Sequence, residues 1–219
     1  MNSAVNNPLF HMQRPDAGNL FFATENDFTS EAVCRLSRGP AAHVGAFRDP
    51  THTIEASRAK GEMVEWDWET RLDYFARANT DWCVVGLKRQ ILMSERLQIR
   101  MEADEQMNLW RYSSAELPLQ ALDTLINWIA RRPRSGEQRV LARRLGDLWQ
   151  SGIICSKAAA TLLIRIKELP PWTQYASPSD LWFFTTRDPR YEIKCFSQGW
   201  RPLVARWDAG FAMPAQRTA

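Results

Sequence analysis

The chain has 219 residues, 45% of them apolar and 24% charged, with a net charge of +3. That is enough apolar material for one large core or two small ones, and no stretch approaches the ~20 apolar residues of a membrane helix. So small a net charge does not by itself imply a polyanionic partner, and the first residues lack a basic region followed by an apolar one, so a cytoplasmic location is expected.

Residues 1–20 are polar, with Asn, Pro and Gly, and read as a loose arm. Leu20, Phe21, Phe22 and Ala23 predict a short strand, and residues 29–36 a short capped helix. Residues 39–60 carry Gly, Pro and scattered polar side chains and read mostly as loop. The stretch 61–90 has the clearest pattern. Trp68, Leu72, Phe75 and Ala76 fall on one helical stripe, which predicts an amphipathic helix. Asn79, Thr80 and Asp81 stop it, and Trp82, Cys83, Val84 and Val85 have the character of a buried strand. Glu69 lies about 100° round the helix from Trp68, on the edge of the stripe, so its carboxylate can point into a cleft as a candidate acid.

Between 90 and 112, Leu97, Ile99 and Met101, then Met107 and Leu109, alternate on either side of a polar turn, which predicts a β-hairpin. The next fifty residues read as helices. Leu122, Leu125, Ile126 and Ile129 form one stripe, and Leu141, Leu145, Leu148 and Trp149 a second. Ser156 can cap a third, with Ala159, Leu162, Leu163 and Ile166, which Pro170 and Pro171 close. The last two are compatible with a helix-turn-helix as well as with ordinary helical packing. In the tail, residues 181–186 and 191–196 predict two strands about a turn at Asp188 and Pro189, and residues 202–207 a third. The expected fold class is α+β: a mixed N-terminal half, a three-helix basic middle segment and a C-terminal antiparallel β-hairpin. The expected segments are 1–44, 45–117, 118–171 and 172–219.

Cys34, Cys83, Cys155 and Cys195 are far apart, without the paired spacing of a zinc site, and predict reduced, buried thiols. A cysteine hydrolase needs a His and an orienting carboxamide or carboxylate around one Cys. His11, His43 and His52 all lie in the first quarter, and nothing local marks a nucleophile.

Charge is concentrated between 131 and 167, with nine Lys/Arg against two acids. Arg131, Arg132 and Arg134 precede a helix carrying Arg139, Arg143 and Arg144. Arg139 and Arg143 are one turn apart and can follow a phosphate backbone with bidentate contacts. These six arginines are the candidate nucleic-acid-binding residues.

The tail has the form of a PD-(D/E)xK nuclease motif: Asp180 opening one strand, and Glu192-Ile193-Lys194 in the next. Strand periodicity puts Glu192 and Lys194 on one face. Asp180 and Glu192 would ligate Mg²⁺, with Lys194 beside the attacking water. Residues 45–117 resemble the N-terminal part of TnsA-type transposase endonucleases, through Gly45-Ala46-Phe47, Trp68-Glu69 with Leu72 and Phe75, Val84-Val85, Gln90, and Arg111-Tyr112. The metal-binding Asp of that family is missing after Tyr112, where Ser114, Ala115 and Glu116 stand, and no E-x-K follows at the family's distance. The resemblance implies a DNA-associated subunit of a mobile element, either degenerate or with its site supplied by the tail, where Glu69 would join the catalytic set and Mg²⁺ would be the cofactor. The alternative is a non-catalytic assembly subunit binding other proteins in a nucleoprotein, secretion or defence complex. No membrane association is expected.

Overall fold

The computed structural model describes residues 13–37, 39–57, 60–112, 152–153 and 155–210. These build an α+β protein around one sheet. Its strands are β1 (Leu20–Thr24), β2 (His43–Phe47), β3 (His52–Ser57), β4 (Glu62–Asp67), β5 (Asp81–Leu87), β6 (Arg111–Tyr112), β7 (Gly152–Ile153) and β8 (Tyr191–Phe196). Their order across the sheet is β7-β6-β4-β3-β2-β1-β5-β8. All neighbours are antiparallel except β6 and β7. Residues from the first and last expected segments therefore share the sheet with those of the second.

β1 lies inside the sheet and is buried on both faces, and its alternation sorts the core into two. Leu20 and Phe22 join a large apolar cluster with residues of helices α3 (Met93–Leu109), α4 (Cys155–Arg165), α5 (Pro178–Arg187) and α6 (Trp200–Gly210). Phe22, Trp182 and Trp200 stack edge to face there, with centroids 5.5 and 5.2 Å apart. Phe21 and Ala23 point the other way, to a smaller cluster with Phe47, Trp82, Val84, and Trp68 and Phe75 of α2 (Trp68–Arg77). The ring of Trp68 lies 4.8 Å from that of Phe47 and 5.6 Å from that of Trp82. Before β2, helix α1 (Phe28–Ser37) is tied to α5 by a hydrogen bond between the Ser37 and Ser179 hydroxyls.

The strand at 20–23, the helix at 29–36, the helical stripe on Trp68 and the strand at 82–85 all form as their patterns require. Asp67 starts α2 by accepting a hydrogen bond from the Thr70 amide at 2.9 Å, and Asn79, at φ 51°, ends it in the left-handed conformation that Asn tolerates.

Other segments differ from expectation. The 39–60 loop is instead the β2–β3 hairpin. Gly45 is required there: a Cβ would stand 2.3 Å from a ring carbon of Phe21 and 2.9 Å from the Ile54 carbonyl. The hairpin expected over 90–112 is the 17-residue helix α3. Its buried face is Ile99, Glu102, Ala103 and Gln106, while Met93, Leu97 and Met101 are exposed at helical spacing. The apparent alternation of Leu97, Ile99 and Met101 arose from that exposed row beside a buried one. The expected strands at 181–186 and 202–207 are helices α5 and α6. No C-terminal hairpin therefore forms: β8 pairs with β5. Ser156 does not cap α4; it is buried inside the helix, which begins at Cys155. The first two helices of the basic segment lie outside the described residues.

Candidate active site

The β2–β3 hairpin sets two polar side chains on one face of the sheet, His43 and Glu55. His43 Nε2 lies 2.9 Å from Glu55 Oε2. The Glu55 side chain is 5% exposed and that of His43 28%. From α2, Arg71 places Nη2 at 2.8 Å from Glu55 Oε1 and 2.9 Å from Oε2. A carboxylate this deeply buried is tolerated only when paired. Burial opposes its charge, but His43 and then Arg71 outweigh that and hold Glu55 below the ordinary carboxylate range.

His43 opens β2, at the end of the sheet, and there it meets groups from both helical layers. Glu55 and Arg71 stand on the α2 side. Cys155, the first residue of α4, lies close enough for its sulfur to act on the imidazole. Helix α4 packs Ala158, Ala159, Leu162 and Leu163 into the main core, which fixes where its N-terminus falls. Burial by itself pushes the His43 imidazole toward its neutral form. The charge of Glu55, followed by the Cys155 sulfur and hydrogen bonds to both, overrides this and raises its pKa to about 10.

The other three cysteines are different. Cys34, Cys83 and Cys195 are buried, whereas Cys155 is half-buried. Burial pushes the Cys34 thiol up to about 11 and that of Cys195 to about 12, and raises Cys83 well above its ordinary value. The expectation of four buried thiols is thus corrected at Cys155, while all four are free as expected. A helix N-terminus and a neighbouring imidazole are features of reactive cysteines, and Cys155 has both.

The residues expected to form a nuclease site are dispersed. Glu69 is exposed in the first turn of α2. Asp180 does not open a strand; it caps α5, accepting from the Ser177 amide at 3.0 Å and the Ser177 hydroxyl at 2.7 Å. Glu192 and Lys194 share a face of β8, as expected, and pair with each other at 2.5 Å, with Lys194 also donating to Gln13. Among the described residues, no three His, Cys, Asp or Glu side chains are grouped to hold a metal ion. Arg131, Arg132, Arg134, Arg139, Arg143 and Arg144 lie outside the described residues. No helix among the described residues is long and apolar enough to cross a membrane.

His43, Glu55 and Cys155 carried one weak local signal. A cysteine directly ahead of an Ala/Leu helical stripe sits at a helix N-terminus, the position that activates thiols. Nothing in the sequence joined it to a histidine 112 residues earlier.

Fold and site together define an α+β protein bearing a thiol–imidazole–carboxylate constellation. No family model matches the chain, and no curated protein matches it. Among solved structures, that of the metalloprotein yiiX from Escherichia coli O157:H7, DUF1105, is similar over 83% of this chain and 97% of its own length, at 13% identity and a TM-score of 0.45. So slight a likeness does not speak to the site.

Proposed function

We propose that the protein is a cysteine-dependent acyl hydrolase or acyltransferase, with Cys155 as nucleophile, His43 as acid–base and Glu55 as the group that orients His43. The observation that carries this reading is the imidazole held between an ionised, buried carboxylate and a thiol at the N-terminus of a helix. That is the geometry of an activated nucleophile: a base within reach, itself oriented by a third group.

The chemistry follows from the arrangement. In the proposed reaction the Cys155 sulfur attacks, as its thiolate, the carbonyl carbon of an ester, thioester or amide. The bond to the leaving group breaks, and His43 passes it the proton, leaving an acyl-thioester on Cys155. Neutral His43 then takes a proton from water, which attacks the thioester. Carboxylic acid leaves, and the thiolate–imidazolium pair is restored.

Iodoacetamide labelling with peptide mapping, alongside turnover of p-nitrophenyl acetate, tests the proposal. Alkylation should fall on Cys155 and abolish turnover, as should Cys155→Ala and His43→Ala. Turnover that survives Cys155→Ala would overturn it.

A second proposal rests on the arginine-rich sequence from 131 to 144: a DNA-associated subunit with protein partners in the cytoplasm. Binding to duplex DNA that weakens steeply with salt, and is lost in Arg139→Glu/Arg143→Glu, is its expected result. Salt-independent binding, or none, would remove it.

A further inference from the structure

We propose that Arg71 is a positioning residue for His43, acting through Glu55; this rests on the acyl-transfer reading of the site. The guanidinium is almost wholly buried, with 9% of its side chain exposed. A single nitrogen, Nη2, bridges both carboxylate oxygens of Glu55, at 2.8 and 2.9 Å. Its Nε has no hydrogen-bond partner. What holds the rest of the guanidinium is aromatic: its carbon stands 4.6, 4.9 and 5.4 Å from the ring centroids of Phe75, Tyr74 and Trp66. Planar, weakly hydrated guanidinium is suited to such a box in a way that an ammonium is not.

The arrangement has consequences for His43. A carboxylate with one partner can rotate and can protonate. Arg71 fixes both oxygens, so that Oε2 faces His43 Nε2 and the imidazole carries its Nε2 proton toward the carboxylate. Arg71 also keeps Glu55 ionised, and as a cation beyond the carboxylate it opposes excessive stabilisation of the imidazolium, which must release its proton to the leaving group. Among the described residues, the charged and titratable groups around this unit are these. His43 faces Glu55 from β2, Arg71 from α2, and Cys155 reaches His43 from α4. Tyr74 lies behind Arg71 and donates to Glu25, and Lys60 lies over Trp66 at 5.2 Å.

Removing the cation therefore moves both limbs of the pH–rate profile upward: Glu55 takes a proton more readily, and His43 gives one up less readily. The experiment compares wild type, Arg71→Met and Arg71→Lys by two readouts: the pH profile of kcat/KM on p-nitrophenyl acetate, and the ¹⁵N titration and tautomer of His43 by NMR. In Arg71→Met, kcat/KM at pH 7 should fall about ten- to a hundredfold, the scale seen for other orienting partners, with both limbs displaced and the His43 titration moved up. Arg71→Lys keeps the charge and loses the planar bridge, so its limbs stay near those of wild type while kcat/KM falls and the His43 tautomers mix. If Arg71→Met does not fold, Arg71→Lys carries the test.

A folded Arg71→Met with an unmoved His43 titration, or Arg71→Lys with wild-type kcat/KM and tautomer, would overturn the inference. The NMR readout does not require turnover. Wild-type protein that hydrolyses nothing and is not labelled at Cys155 would count against the acyl-transfer reading, while a His43 titration that still responds to Arg71 would uphold the positioning role.

Discussion

His43→Ala gives the most direct physical test of the site, because the structure fixes both the sign and the size of its effect on stability against pH. In the folded protein His43 holds its proton up to about pH 10; unfolded, it releases it near its ordinary 6.5. Between these values His43 itself carries one proton more in the folded state than in the unfolded state. Stability contributed by His43 is thus full below pH 6.5 and falls as pH rises, by about 1.4 kcal/mol per pH unit, until it is gone above about 10. Across the window this amounts to at most about 5 kcal/mol. The assay is urea unfolding of wild type and His43→Ala from pH 6 to 10.5. With an m-value of about 2 kcal/mol/M, the difference between their midpoints should shrink by up to about 2 M across that range. His43→Ala leaves Glu55 paired with Arg71, so its charge is not stranded, and packing lost with the ring gives an offset that does not vary with pH. In a Cys155→Ala background the fall should end at lower pH, since the sulfur no longer supports the imidazolium. A difference that is flat, or that grows, from pH 6.5 to 10 would refute the assignment of a buried imidazolium at His43.

Other consequences are equally direct. Cys34, Cys83 and Cys195 should resist iodoacetamide at pH 7 in the folded protein, and react only after denaturation, which mass spectrometry of native and unfolded samples will show. Trp68→Ala removes the side chain on which Phe21, Phe47, Phe75 and Trp82 converge, and should cost about 3–5 kcal/mol in unfolding free energy. Ser177→Ala should cost about 0.5–2 kcal/mol by loss of the α5 N-cap, without changing turnover per folded molecule. Lys194→Ala, away from Cys155 and His43 on edge strand β8, should leave p-nitrophenyl acetate turnover within a factor of about two of wild type; loss of turnover there would revive the tail as a site.

Local pattern settled what local forces settle. The buried run at Phe21 and Phe22, the stripe on Trp68 and Phe75, and the run at Trp82 to Val85 each had a single satisfactory partner geometry, and the α+β class followed from them. Short apolar runs elsewhere were ambiguous, because Leu97, Ile99 and Met101, or Leu181 to Thr186, fit a strand or a helix until something covers one side of them. The Ser177–Asp180 capping box that starts α5 was a local signal, but only the tertiary structure decided that α3 buries Ile99 and exposes its neighbours and that β8 pairs with β5 rather than in a hairpin. Apart from the cysteine ahead of the α4 stripe, the candidate site belonged to that second kind of information. His43, Glu55, Arg71 and Cys155 come from β2, β3, α2 and α4, and each alone is an ordinary residue. Antiparallel pairing brings the first two together, a helix laid over one face adds the arginine, and a helix anchored in the opposite core adds the thiol. Their chemistry arises because burial turns weak pairwise attractions into strong ones, and burial is a property of the assembled fold.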